Sequence, residues 1–373
     1  MGKVKVGFSA GTSPPVGRID AVLLAARLFG FDSFWTIDHF QSFFNRGVWQ
    51  RDFTWLASPR HSPHEILDYQ VMLGHLARRA GNLQLAVGVT EPIRRHPVLL
   101  AQSFMTLSHL VKRPPILGIG SGEAENVRPY GLDFSRPVAR LEEALQIIRL
   151  CFDSQGPFDY EGDFYRLEGA VMDLRPALGR TPEVWLAAHG PRMLELTGRY
   201  GDGWFPVVPM TPAEYEERLV RVRKTAAEVG RDPEKITAGL SLYVIAGKTE
   251  EEARRLLHHR SVRYLALLVP DYVWKKYGVT HPLGDGFRGM VDFVPEQYST
   301  ADLEEMMSSV PLDLMEEPAA FGTPRQLLEK LHSFREAGLQ HVVLVPVSGL
   351  ISRRDAVYGI RTILWLSRRL RAG

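Results

Sequence analysis

Cysteine is nearly missing from this sequence: Cys151 is the single one in 373 residues. One cysteine closes no intramolecular disulfide, and no Cys/His cluster has zinc-site spacing, so neither crosslink nor metal is expected to hold the fold. That usage fits a reducing compartment, and a cytoplasmic protein is expected. Long apolar runs are missing too. No stretch reaches the roughly 20 residues of a membrane span, and no signal-peptide run is evident at the start. An excess of one charge sign is also absent: 45 Lys and Arg face 43 Asp and Glu, a net +2, which leaves no global basic field for nucleic acid. The short basic cluster Arg368, Arg369 and Arg371 reads as the solvated end of a last helix. There is no internal repeat and no low-complexity segment. What is present, 45% hydrophobic and 24% charged residues, is the balance of a globular protein with a large core and a small-molecule partner. Nothing fixes the assembly, and a homodimer is compatible with the sequence.

Apolar periodicity alternates between strand and helix spacing along the chain. Val4 to Phe8 reads as a strand, and Ile19 to Phe29 as a helix stopped by Gly30. Ser33 to Ile37 makes a second strand ending at Asp38-His39; an aromatic-rich loop and a helix through Ile66, Met72, Leu73 and Leu76 follow. Leu83 to Val89 is a third strand, and Pro97 opens the next helix, where its missing N–H costs nothing. Ile116 to Ile119 runs into Gly120-Ser121-Gly122-Glu123, and Leu141, Leu145 and Ile148 mark a helix face. Residues 154–182 look like a connecting excursion. Val184 to Ala188, Gly203 to Val208, Leu240 to Ile245 and His341 to Val345 complete eight strands, with helices at Met193 to Leu196, Ala213 to Val229, after a capping box at Thr249 and Glu252, and from about Ser352 to Leu370.

Eight such pairs predict an α/β protein, a single (β/α)8 TIM barrel over residues 1–373; an open doubly wound sheet is the alternative. Residues 258–321 break the rhythm with Tyr264-Leu265-Ala266-Leu267-Leu268-Val269-Pro270, Trp274, His281-Pro282 and Met306-Met307. They read as a mainly helical insertion before the last strand, either packed on the rim or serving as a lid over an apolar substrate.

Barrel chemistry sits at the C-terminal ends of strands, which singles out His39, Thr90, Glu91, Glu123 and His189. An imidazole exchanges protons near neutrality, and a carboxyl does so once burial raises its pKa. A lone strand-end histidine is more often structural than catalytic, and Gly120-Ser121-Gly122 alone is a tight turn. A nicotinamide fingerprint would need Gly-x-Gly-x-x-Gly at the first βα turn, whereas these glycines lie in the fourth and are followed by Ala124 and Glu125.

Asp38-His39-Phe40, Arg94-Arg95-His96-Pro97, Gly118-Ile119-Gly120-Ser121-Gly122-Glu123-Ala124-Glu125-Asn126, Ala187-Ala188-His189-Gly190-Pro191 and Asp202-Gly203-Trp204 stand in the order seen in luciferase-like oxidoreductases. The resemblance covers nearly the whole chain apart from the insertion. Gly-Ser-Gly-Glu with Asn126 three residues on is most similar to the branch that uses coenzyme F420, a deazaflavin. Pro129-Tyr130-Gly131 through Pro137-Val138-Ala139-Arg140, with Ala188 to Leu194, resembles that branch's ketoreductases. Phe43 stands where its glucose-6-phosphate dehydrogenases carry a tryptophan, a departure from sugar-phosphate chemistry; an aromatic there shapes the substrate pocket or packs as core.

The resemblance implies hydride transfer between F420 and a carbonyl or alcohol, with a hydrophobic ketone favoured by the apolar insertion. An FMN-dependent monooxygenase on the same scaffold is the alternative, and a binding protein without turnover a third. It implies that His39 and Glu123 flank the reactive carbon, His39 handling the proton on the substrate oxygen. Asp38, Thr90 and Asn126 are expected to hydrogen-bond the cofactor, Val87 and Gly88 to lie against it, and the strand around Val87-Gly88-Val89 to carry a non-proline cis peptide behind its ring. Ala187, Ala188, His189 and Gly190 would let backbone approach its phosphate tail.

Overall fold

The computed structural model describes residues 3–207 and 209–372. Its first half runs β1 (Lys5–Ser9), α1 (Val16–Leu28), β2 (Ser33–Thr36), α2 (Tyr69–Ala77), β3 (Gln84–Thr90), α3 (Pro97–Leu110), β4 (Ile116–Ile119), α4 (Ala124–Val127) and α5 (Pro137–Asp153). Then come β5 (Phe158–Glu161), β6 (Arg166–Ala170), β7 (Glu183–Leu186), α6 (Pro191–Tyr200), β8 (Gly203–Trp204), α7 (Pro212–Glu228), β9 (Thr237–Ala246) and α8 (Glu250–Leu257). α9 (Arg260–Ala266), α10 (Asp271–Trp274) and α11 (Thr300–Ser309) precede β10 (Ala320–Gly322), α12 (Pro324–Glu336), β11 (His341–Pro346) and α13 (Arg353–Ala372).

Parallel pairing runs from β11 through β1, β2, β3, β4, β7 and β8 to β9, and β9 returns to β11 with Gly239–Val244 on His341–Pro346. The eight strands therefore close into a TIM barrel, and the open-sheet alternative is excluded. β10 adds a short strand to the last three residues of β9. Strand alternation sorts the two sides of the wall. In β9, Ala238, Leu240 and Val244 join the shell between strands and helices, whereas Tyr243 and Ile245 join a different cluster. Inside the barrel, Trp35, Ala86, Ile116, Trp185, Phe205 and Val343 form a plug, with Trp35 stacked on Phe205 at 4.4 Å between centroids. The lumen is thus filled below, and only its mouth is left for a ligand.

The insertion has its own core. Tyr264, Leu265, Trp274, Phe293, Leu303 and Met307 pack with Phe44 and Phe53 from the loop after β2, Ile245 from β9 and Val347 just past β11. Those barrel partners all lie at or beyond strand C-termini, so residues 258–321 sit on the mouth side. Asp271 braces the segment, accepting hydrogen bonds from the backbones of His281 at 2.8 Å and Gly286 at 2.9 Å beside Lys275.

Several local expectations change. Residues 154–182 contain the antiparallel hairpin β5–β6, whose half-exposed alternation is too short to stand out. The sixth strand keeps only Gly203–Trp204, and its expected end, Val208, lies outside the described residues. α6 extends over ten residues. At Thr249 the side chain caps Glu252 N, but Glu252 reaches back to Lys248 N rather than to Thr249. Arg371 is not solvated tail: it bonds the carbonyls of Phe29 and Gly30, closing the end of α1. Among the described residues no helix is long and apolar enough to cross a membrane.

Candidate functional site

Two loops meet over the mouth. After β4 the backbone turns through Gly122, whose φ of +94° suits glycine, and α4 begins at once. That turn carries Glu123, Glu125 and Asn126 to the loop after β2. Asn126 locks the loops together: its Oδ1 accepts the Phe40 backbone N–H at 2.7 Å, leaving Nδ2 2.8 Å from His39 Nδ1, 3.2 Å from Glu125 Oε1 and 3.4 Å from Glu123 Oε2. Gln41 Nε2 donates to the Glu125 carbonyl. Phe43 stands edge-on to the His39 ring at 4.9 Å.

Exposure separates the three ionisable groups. The Glu123 side chain is 24% accessible, His39 10% and Glu125 not at all. Burial pushes the Glu123 carboxyl up to about 7, Glu125 adding to the rise while His39 and Arg94 oppose it. Burial also holds Glu125 well above the carboxylate range. Tyr243, on the inward face of β9, is pushed up to about 12 by burial and by Glu123. The cluster therefore contains groups able to hold and release protons at neutral pH beside an accessible imidazole.

Asp38 and Thr90 lie beneath this cluster and bind each other. Thr90 Oγ1 donates to Asp38 Oδ2 at 2.6 Å, and Arg95 and Arg94 reach the same oxygen at 2.7 and 3.1 Å. Arg94 also pairs with Glu91 and stacks under Phe40. These polar groups brace the strand ends; Asp38, Thr90 and Glu91 are buried and paired, and only Nη1 of Arg94 is left without a partner among them. Val87 is buried in the outer shell, so only its backbone faces inward. The Gly88–Val89 peptide is cis, where such a bond was expected, and a Cβ on Gly88 would come within 2.8 Å of Trp35.

On the far rim, Ala187 faces Gly120, and the Ala188 carbonyl accepts Trp204 Nε1 at 2.9 Å. His189 accepts Val207 N at 3.4 Å, and burial pushes it down to about 3, so it is a neutral ring. Gly190 is exposed, with nothing within 4 Å of where a Cβ would be, and it caps α6 without a side-chain bond. The first-turn N–H groups of α6 are thus free of a side-chain cap, an arrangement suited to phosphate.

The structure brings together His39, Glu123, Asn126 and Phe43. It places Asp38 and Thr90 in a supporting layer and Ala187 to Gly190 on a separate rim. Sequence reasoning missed Glu125, Gln41, Arg94 and Tyr243 as members of the site. Alternation in the seventh strand could have found Tyr243, opposite in phase to Leu240 and Val244. Glu125 gave less signal, since a charge two residues past Glu123 on a short helix reads as solvent-facing.

The sequence profile of the family described as luciferase-like monooxygenase matches residues 4–341. The phthiodiolone/phenolphthiodiolone dimycocerosates ketoreductase of Mycobacterium tuberculosis is 36% identical over 353 residues, 92% of either chain. Among solved structures, an F420-dependent secondary alcohol dehydrogenase in complex with an F420–acetone adduct superposes with a TM-score of 0.76 at 20% identity, over 99% of this chain and 100% of that one. The oxygenating constituent of 3,6-diketocamphane monooxygenase from Pseudomonas putida, a Baeyer–Villiger enzyme in complex with FMN, superposes at 0.66 with 16% identity, over 100% and 99%.

Proposed function

The chain belongs to the luciferase-like monooxygenase family, and from that premise we propose that it is an F420-dependent oxidoreductase moving a hydride between the deazaflavin and a carbonyl or alcohol. A hydrophobic ketone is the proposed substrate. The observation that carries the reading is the contact of His39 with two carboxyls at the barrel mouth, one of them accessible and raised to about 7. Similarity to a ketoreductase along nearly the whole chain supports it.

The residues present fit such a cofactor. Gly88 and the cis peptide back the mouth, small Gly120 and Ala187 lie side by side at the ends of the paired strands β4 and β7, and the uncapped start of α6 at Gly190 offers N–H groups for phosphate. When bound, the coenzyme supplies a hydride on a ring carbon. His39 presents a proton donor to the substrate oxygen, its ring held by Asn126 and Phe43. Glu123 takes or gives a proton from the other side. Residues 258–321, packed on the loop that carries Phe43 and Phe44, serve as a cover of one piece with the barrel and exclude water from a greasy substrate.

An FMN-dependent monooxygenase is the second reading, favoured by the family description and the FMN-bound fold neighbour. Matched fluorescence titrations with F420 and FMN decide between them. Micromolar binding of F420 alone, followed by oxidation of reduced F420 with ketones, supports the proposal; tight binding of FMN alone replaces it with the monooxygenase. His39→Ala and Glu123→Gln are each expected to lower turnover while holding F420 affinity within about tenfold, or ~1.4 kcal/mol. Loss of cofactor binding in both variants would make the pair binding groups instead.

A further inference from the structure

We infer that Glu125 is a positioning residue that carries a proton and fixes His39 in the tautomer with its hydrogen on Nε2, aimed into the mouth. The inference rests on the reading of His39 as donor to the substrate oxygen and supplies where that proton is kept.

The argument starts from a group whose chemistry is fixed. A backbone N–H only donates, so the Asn126 atom 2.7 Å from Phe40 N is the amide oxygen, and the NH2 is turned toward His39. That NH2 lies 2.8 Å from His39 Nδ1. An N–H on Nδ1 would set donor against donor at this distance, so Nδ1 bears its lone pair and the ring hydrogen is on Nε2. Glu125 Oε1 lies 2.9 Å from the same Nδ1. A carboxylate there would set lone pair against lone pair; a proton on Glu125 turns the contact into an O–H···N hydrogen bond that shares the one Nδ1 lone pair with the Asn126 N–H.

The surroundings agree. Glu125 is wholly buried, and its Oε2 has no hydrogen-bond partner among the described residues, a setting in which a charge is costly. His39, Arg94, Glu123, Tyr130 and Tyr264 are the ionisable groups that act on it. Arg94 is the fixed cation among them; its hydrogen bonds go to Glu91 and Asp38, and its remaining Nη1 does not reach Glu125. Glu123 is a second carboxyl whose ligand atoms lie within 4.8 Å of the pair, and like charges so close do not ionise together cheaply. The upward displacement of the Glu125 ionisation points the same way.

The proton count then closes for reduction of a carbonyl by a reduced deazaflavin. As carbon gains the hydride, the substrate oxygen takes the Nε2 proton, and the Glu125 proton passes to Nδ1. The ring ends neutral with its hydrogen on Nδ1, Glu125 ends as the carboxylate that accepts from it, the Asn126 NH2, 3.2 Å from Glu125 Oε1, gives up Nδ1 for that oxygen, and one proton from solvent restores both.

The protein without added cofactor tests this. The infrared difference between wild type and E125Q at pH 7.5 is expected to show the C=O stretch of a protonated carboxylic acid, shifted in heavy water. Nitrogen-15 NMR is expected to show His39, assigned by the signal lost in H39Q, as the neutral Nε2–H form. A carboxylate band alone, or a His39 ring protonated on Nδ1, overturns the inference, and the NMR result on wild type decides even if E125Q fails to fold. In turnover, E125Q should fall by about 10- to 100-fold with F420 affinity kept, and E125D, which retains an acid, should recover part of the loss. Equal losses in E125Q and E125D would reduce Glu125 to packing. A positive infrared and NMR result without F420 binding would sink the cofactor reading and leave this inference standing.

Discussion

Glu123 ties stability to pH. Its folded pKa, raised from 4.5 to about 7, means that the native state holds this proton more tightly than the unfolded chain does. The stabilisation is complete below pH 4.5 and is lost as pH rises through 7. At 1.36 kcal/mol per unit the full span is about 3 kcal/mol, and partial solvent access reduces it to about 2. Glu123→Gln, which cannot ionise, is therefore expected to gain on wild type by about 2 kcal/mol between pH 5 and pH 8 in urea unfolding. A constant difference across that range would show an ordinary carboxyl. His39 and Glu123 were legible as residues just past strand ends, and Asn126 and Phe43 by their place in the recurring motifs. The surroundings of Asp38 were not: nothing in a polar strand-end residue announces that Arg94 and Arg95, more than 50 positions on, fold back onto it beside Thr90.

Elements were read most reliably where a terminal signal coincided with periodicity. Pro97 opens α3 as expected, and β4 spans the predicted Ile116–Ile119. The sharpest caps went unread: Thr211 with Glu214, Ser299 with Asp302 and Thr323 with Gln326 each form a complete reciprocal box. Thr249 carries the same pattern and completes only half of it, because the side chain of Glu252 turns to the preceding amide. Thr211→Ala removes the half of its box made by the hydroxyl and keeps the backbone N–H that Glu214 accepts, and a loss of about 1 kcal/mol in chemical denaturation is the expected outcome. An unchanged midpoint would mean that the α7 start is held by packing alone. The hairpin β5–β6 escaped the sequence reading, and β8 was expected to run on past Trp204, for a different reason. Runs of alternation this short carry too little pattern to separate a strand from a loop or to fix its end.

At the scale of the molecule, the sequence announced a barrel and an interruption, but not how the interruption is fastened. Tyr264 is one fastening: its hydroxyl donates to the Phe43 carbonyl at 2.9 Å and accepts the Asn45 amide at 3.2 Å. Asn45 in turn reaches the carbonyls of Pro295 and Tyr298, so the loop after β2 and the insertion share one hydrogen-bond network. Tyr264→Phe leaves two buried backbone groups unpaired, at a cost of about 1–3 kcal/mol. If cover and barrel are one unit, the variant should unfold in a single transition at lower denaturant; an early separate phase would make the insertion a domain of its own.

The aromatic plug has an optical consequence. Trp35 and Trp185 are buried against Phe205 at the top of the filled lumen, and Trp35 abuts Gly88 where the cis peptide backs the mouth. The barrel floor is thus a fixed emitter under the ligand, and a ring that absorbs in the near ultraviolet will quench it by energy transfer as it docks. Loss of tryptophan emission on titration with F420, abolished by Trp35→Phe together with Trp185→Phe, would report occupancy of the mouth with no label and no turnover; unchanged emission at saturation would place the ring elsewhere.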